Sequence, residues 1–301
     1  HAMEIAQELD INYLGSDYQF FDEDELQRIE RMYVMPPFAR GMLEFDAQTH
    51  RPTRFEKSHD GPMLLWLLLG EDNKPMKGGR RFAVAADIAT GTGASNSVLS
   101  FGDIETGEKV GEYASPHIRP EALAELAVAL CWWLSDETGQ PAHLIWEANG
   151  PGRNFGDRVL ELGFANIYYR ENEKSRRKKQ SDFPGWWADD ESIRALYGEY
   201  RRATTANEFI NRSKEAIREC REIVWLANGT ISHARAATTP DPTGAKSNHG
   251  DRTRADALLW RGMKRRPRRE HKPDINDPPV GSIAWRMKQN EQLASVGEFD
   301  W

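Results

Sequence analysis

The stretch Phe82-Ala83-Val84-Ala85-Ala86-Asp87-Ile88 constrains the fold of this chain more than any other. Its apolar run is too short for a helix and does not alternate, which is the pattern of a strand covered on both faces. A carboxylate stands near its end, and Gly91-Thr92-Gly93 then supplies a tight turn. Ser97 to Phe101 follows as a second strand, and Glu105-Thr106-Gly107-Glu108 turns the chain into a third, Lys109 to Tyr113. Pro120 marks a helix start, and Leu123, Ala127, Leu130 and Leu134 recur at helical spacing until Gly139. Leu144 to Glu147 forms a fourth strand, Gly156 to Leu162 a second helix stopped by Gly163, and Phe164 to Tyr169 a fifth strand.

This order, β-β-β-α-β-α-β, predicts an α/β fold with a ribonuclease H-like mixed sheet flanked by helices. Leu64 to Leu69 is an earlier strand, and Asp22 caps a short helix through Arg31. Beyond the fifth strand, Glu191 to Arg202, Ser213 to Arg221 and Asp251 to Met263 read as helices. Asn228-Gly229 joins two short strands, and residues 236–248 have the composition of a mobile loop. The expected division is a linker and ordered arm over 1–60, a ribonuclease H-like domain over 61–266 and an extended or disordered tail over 267–301. His1-Ala2-Met3 reads as a cloning remnant.

The 301 residues include no apolar run near membrane-spanning length, so no membrane partner is expected. Cys131 and Cys220 lie far apart and form neither a disulfide framework nor a zinc site, in keeping with a cytosolic protein. The net charge of −7 hides a segregation. Residues 87–160 carry eleven acids and four bases, whereas 170–180 hold six bases against two acids, and 261–272 seven against one. An acidic centre beside basic segments suits a nuclease that holds metal with carboxylates and phosphate with cations, although either basic run taken alone reads as a solvated loop.

Three carboxylates stand where ordinary folding does not favour them. Asp87 and Glu147 end apolar strands, and Asp251 opens the last helix, where an N-cap is its bland explanation. In the predicted topology the first and fourth strands are parallel neighbours, so Asp87 and Glu147 leave the same sheet edge. Like charges at that distance call for a divalent cation, and hard oxygen donors without a Cys or His cluster select Mg²⁺ or Mn²⁺, with two ions expected. Arg153, beside this site, and Arg176, Arg177, Lys178 and Lys179, after the fifth strand, are expected to bind the backbone phosphates of double-stranded DNA. Trp186-Trp187 reads as an anchor for the far end of that loop rather than as a stacking surface.

The segments Ala86-Asp87-Ile88-Ala89-Thr90-Gly91-Thr92-Gly93, Ile145 to Gly152 and His249 to Leu258 resemble the nuclease domain of tailed-phage terminase large subunits. Ile5-Ala6-Gln7-Glu8-Leu9-Asp10 through Ser16 also resembles the stretch joining that family's motor to its nuclease. The resemblance runs from about residue 5 to 263 and implies Asp87, Glu147 and Asp251 as catalytic metal ligands, with His249 and Asp256 second in rank. It further implies cutting of concatemeric DNA during genome packaging in the host cytoplasm. The implied partners are an ATPase motor in cis, the small terminase subunit and the portal. Two departures stand out. Many relatives carry an acid soon after the glycine turn, where this chain has Ser95-Asn96-Ser97. No Gly-x-x-x-x-Gly-Lys-Ser/Thr loop occurs, so the motor activity is not expected of this chain. Alternatives are a junction resolvase or transposase catalytic domain, an actin-like nucleotide-binding module, and a catalytically silent interaction domain.

Overall fold

The computed structural model describes residues 18–264 apart from Lys77 and residues 172–179, 227–228, 235–240 and 247–249. Seven strands form one sheet in the order β2-β1-β3-β6-β5-β4-β7. They are β1 (Ala39–Phe45), β2 (Pro52–Lys57), β3 (Met63–Leu65), β4 (Phe82–Asp87), β5 (Ser97–Asp103), β6 (Glu108–Ser115) and β7 (His143–Trp146). Every pairing is antiparallel except β4 with β7. Two helices follow the sheet's centre in the chain, α2 (Pro120–Trp133) and α3 (Gly152–Glu161), after a first helix α1 (Glu23–Tyr33). This is the ribonuclease H-like arrangement expected from the sequence.

The unalternating run of β4 now has its cause. Phe82, Val84 and Ala86 pack with Leu123, Ala127 and Leu130 of α2. Ala83 and Ala85 face the opposite layer, with Leu258 and Leu259 of α6 (Asp251–Lys264). A strand sandwiched between two helices has no solvent side on which to place polar residues. The second layer is completed by α4 (Asp190–Thr205), which carries Leu196, Tyr197 and Tyr200, and by α5 (Lys214–Arg221). Asp189 and Ser192 close a reciprocal capping box on α4, and Ser213 caps α5.

Three segments differ from expectation. Residues 39–57, read as an arm, extend the sheet by two strands and bury Leu43 and Phe55, with Phe55 stacked on Trp133 at 5.7 Å. In β2 only Phe55 is buried, so hydrophobic periodicity was too faint to reveal the strand. The fifth strand is broken: Ile167 bridges Leu144, Trp186 bridges Glu147, and the intervening chain leaves the sheet as a hairpin of β8 (Tyr169–Glu171) and β9 (Gln180–Pro184). Finally, residues 241–246 of the expected mobile loop are docked. Thr243 donates to Asn96 Oδ1 at 2.6 Å, and the Lys246 amide donates to the Gly93 carbonyl at 3.1 Å. The Asn228-Gly229 strands form as β10 (Ile223–Trp225) and β11 (Ile231–His233). The expected tail over 267–301 lies outside the described residues.

Candidate metal and nucleic-acid site

Register places the first two carboxylates. Ala86 pairs with Trp146 in the parallel β4–β7 ladder, and the Glu147 amide donates to the Ala86 carbonyl at 3.3 Å. Asp87 and Glu147 therefore emerge side by side. A Cβ at Gly152 would lie 1.8 Å from the Glu147 carbonyl oxygen, so the start of α3 can close on Glu147 only with glycine there.

Asp251 reaches the site from the opposite layer, as the first residue of α6. Gly250 before it holds φ at 78°, and a side chain there would meet Ile223 Cδ1 at 2.8 Å. The Asp251 carboxylate is 4% exposed and accepts from Ser95 Oγ at 2.9 and 3.0 Å and from the Asn96 amide at 2.9 Å. The Ser95-Asn96 turn thus orients the third carboxylate. The helix start is held further by buried Glu219, which accepts the Arg252 amide at 2.6 Å, the Thr253 amide at 3.1 Å and the Arg252 guanidinium at 2.7 Å. Arg252 also pairs with Asp241 at 2.9 Å.

The three acids share one electrostatic neighbourhood. Burial raises the Asp87 carboxyl well above its ordinary range, and Glu147 and Asp251 push it further, against the opposing pull of Arg254. Among the described residues the Asp87 carboxylate receives no hydrogen bond and no ion pair. Arg254 lies on the same face of α6 as Asp251, with its guanidinium 3.6 Å from Glu147 Oε2 and 5.0 Å from the centre of the Tyr197 ring. Among the described residues no three His, Cys, Asp or Glu side chains converge closely enough to enclose an ion as they stand. The donor set itself fits a hard divalent cation: oxygen ligands only, one of them crowded by like charge without a protein donor among the described residues. Asp87, Glu147 and Asp251 would hold it, with Asp251 exchanging its Ser95 hydrogen bonds and Glu147 its Arg254 pairing.

Other expected residues fare differently. Asp256, expected as a second-rank ligand, is corrected: it lies in a buried cluster, where Lys109 Nζ at 2.7 Å, Asn211 Nδ2 at 2.7 Å and Ser100 Oγ take up its carboxylate. Five residues beyond Asp251, it faces β5 and β6 instead of the strand ends. Arg153 is exposed at the start of α3, 5.8 Å above the Trp187 ring. His249, Arg176, Arg177, Lys178 and Lys179 lie outside the described residues. Arg254 and Glu219 escaped the sequence reading. The one available signal for Arg254 was its three-residue spacing from Asp251; Glu219 sits in a short amphipathic helix and gave none.

By sequence, no family model and no curated protein matches the chain. Among solved structures it is similar to the large terminase nuclease from thermophilic phage G20c with bound magnesium, at 14% identity and a TM-score of 0.47 over 74% of this chain and 92% of that one. The zinc-bound form of that nuclease gives 13% and 0.45, over 79% and 98%. The large terminase nuclease domain of Thermus phage P74-26 gives 12% and 0.47, over 78% and 93%.

Proposed function

We propose that this chain is a divalent-metal-dependent DNA endonuclease, the nuclease domain of a phage packaging terminase large subunit. The observation that carries this reading is the parallel β4–β7 register, which sets Asp87 beside Glu147 at a strand edge faced by Asp251. A structural ion-pair core would have neutralised these acids, as Lys109 neutralises Asp256 and Glu112. Asp87 has no such partner among the described residues. Mg²⁺ or Mn²⁺, as a pair of ions, would supply charge stabilisation at the scissile phosphate and an activated water. The protein's own part is to fix the carboxylates: Ser95 and Asn96 aim Asp251, Glu219 anchors the helix that bears it, and Gly152 lets α3 approach Glu147. Arg153 and the basic run 176–179 would bind flanking phosphates of duplex DNA with little sequence preference. On this reading the substrate is concatemeric phage DNA in the host cytoplasm, and the partners are a motor in cis, the small terminase subunit and the portal.

Incubation of supercoiled plasmid with the protein tests it. Nicking and linearisation are expected in Mn²⁺ or Mg²⁺, with none in EDTA and none from Asp87→Asn protein. Undiminished cutting by Asp87→Asn protein would remove the carboxylate site from the chemistry.

A further inference from the structure

The two adjacent tryptophans part company in the fold. Trp186 bridges Glu147, and its side chain is 4% exposed in the core, the anchor expected from the sequence. Trp187 points the other way, as alternation along an extended chain requires, and is 36% exposed. Its position is fixed. Asn149 clamps the next residue with two hydrogen bonds, Nδ2 to the Ala188 carbonyl at 2.9 Å and the Ala188 amide to Oδ1 at 2.7 Å. Ser192 Oγ donates to the Trp187 carbonyl at 3.0 Å.

Two guanidinium groups lie on this ring, Arg170 at 4.8 Å and Arg153 at 5.8 Å from its centre. Arg170 also reaches Phe183 at 5.8 Å, and that ring, on β9, is 67% exposed. Among the described residues no carboxylate pairs with either arginine. Arg170 Nε donates to the Gly185 carbonyl at 3.4 Å, and a guanidinium held near an aromatic face keeps its remaining N–H groups available for phosphate oxygens. In intact duplex the base faces are stacked on one another and meet an aromatic ring only where a step is unstacked. Aromatic faces interleaved with cations match the alternating base and phosphate of a single strand.

We propose that the strip Arg153–Trp187–Arg170–Phe183 takes unpaired nucleobases of a DNA strand beside the carboxylate site. It rests on the nuclease reading above and deepens it: the substrate is opened next to the cut, and one strand is gripped by stacking.

The test titrates the whole protein, in EDTA, into labelled oligothymidylate and into a duplex of the same length. Trp187→Ala and Phe183→Ala should each weaken single-strand binding about tenfold and leave the duplex within about twofold. Trp187→Phe, which keeps a ring, should retain most of the single-strand affinity and guards against a folding defect. Arg153→Gln and Arg170→Gln should instead reduce the salt dependence, which the ring variants leave unchanged. Equal weakening on both forms of DNA, or none on either, overturns the stacking proposal while leaving the nuclease reading intact. A parent protein that binds neither form in EDTA overturns the stacking proposal, and one that also leaves plasmid uncut in Mn²⁺ overturns the nuclease reading as well.

Discussion

Arg254 shows how one side chain can set the electrostatics of the proposed metal site without being one of its ligands. Its guanidinium pairs with Glu147, acts on Asp87 and is packed against Tyr197, whose hydroxyl is itself pushed up to about 12 by burial. Such an internal counter-ion competes with any bound cation. Arg254→Gln should therefore tighten Mn²⁺ binding by on the order of tenfold, measured by calorimetry, while lowering the thermal midpoint in EDTA. A purely architectural role for Arg254 would instead make metal binding weaker. Glu219 gives a second residue-scale prediction. Burial, with Asp251 adding and Arg252 opposing, moves its carboxyl from 4.5 to about 7. The folded state thus holds this proton more tightly than the unfolded chain does. The resulting stabilisation is complete below pH 4.5 and is lost as the pH rises to about 7, a change of roughly 3 kcal/mol for this buried group. Denaturant melts of metal-free protein across that window should show the decline, and Glu219→Gln should flatten it. An unchanged profile in the variant would assign the pH dependence to other groups.

Among the elements, the β8–β9 hairpin and the start of α6 shape the site most. The hairpin interrupts the edge strand between Ile167, bridged to Leu144, and Trp186, bridged to Glu147. Between β8 and β9 in sequence, residues 172–179 carry five Lys or Arg and one acid. Replacing Arg176, Arg177, Lys178 and Lys179 with Gln together should weaken duplex binding and lower the log–log salt slope by about one unit for each phosphate that is no longer neutralised. A slope equal to the parent's would move phosphate binding to another surface. Periodicity and caps made most elements legible: α1 begins behind Asp22, α2 at Pro120, and α6 spans the expected residues within one position. Periodicity could not reveal that the fifth strand would be split. The segments that complete it, at Ile167 and Trp186, each contribute a single bridge and lie far apart in sequence.

For the whole molecule, repulsion among Asp87, Glu147 and Asp251 is a cost of the folded state that the expanded chain does not bear. Mn²⁺ should accordingly raise the thermal midpoint, and less so in Glu147→Gln protein; equal rises in both would place the cation elsewhere. No helix among the described residues is long and apolar enough to cross a membrane. The sequence by itself determined the succession of strands and helices from β4 to α3, the sandwiched β4 and the two acids at strand ends, because hydrophobic period and turn residues act locally. It also marked Asp251, although as a helix-opening acid with an ordinary explanation. Only the tertiary structure decided which acids act together. Asp251 and Asp256 share one helix five residues apart, yet one is turned toward the strand ends and held by Ser95 and Asn96, while the other is buried against Lys109. The same holds for Trp186 and Trp187, adjacent in sequence and opposite in exposure. A helix rotates successive side chains by a fixed angle and a strand alternates them, but which direction meets a cation, a carboxylate or solvent depends on elements folded back from elsewhere in the chain.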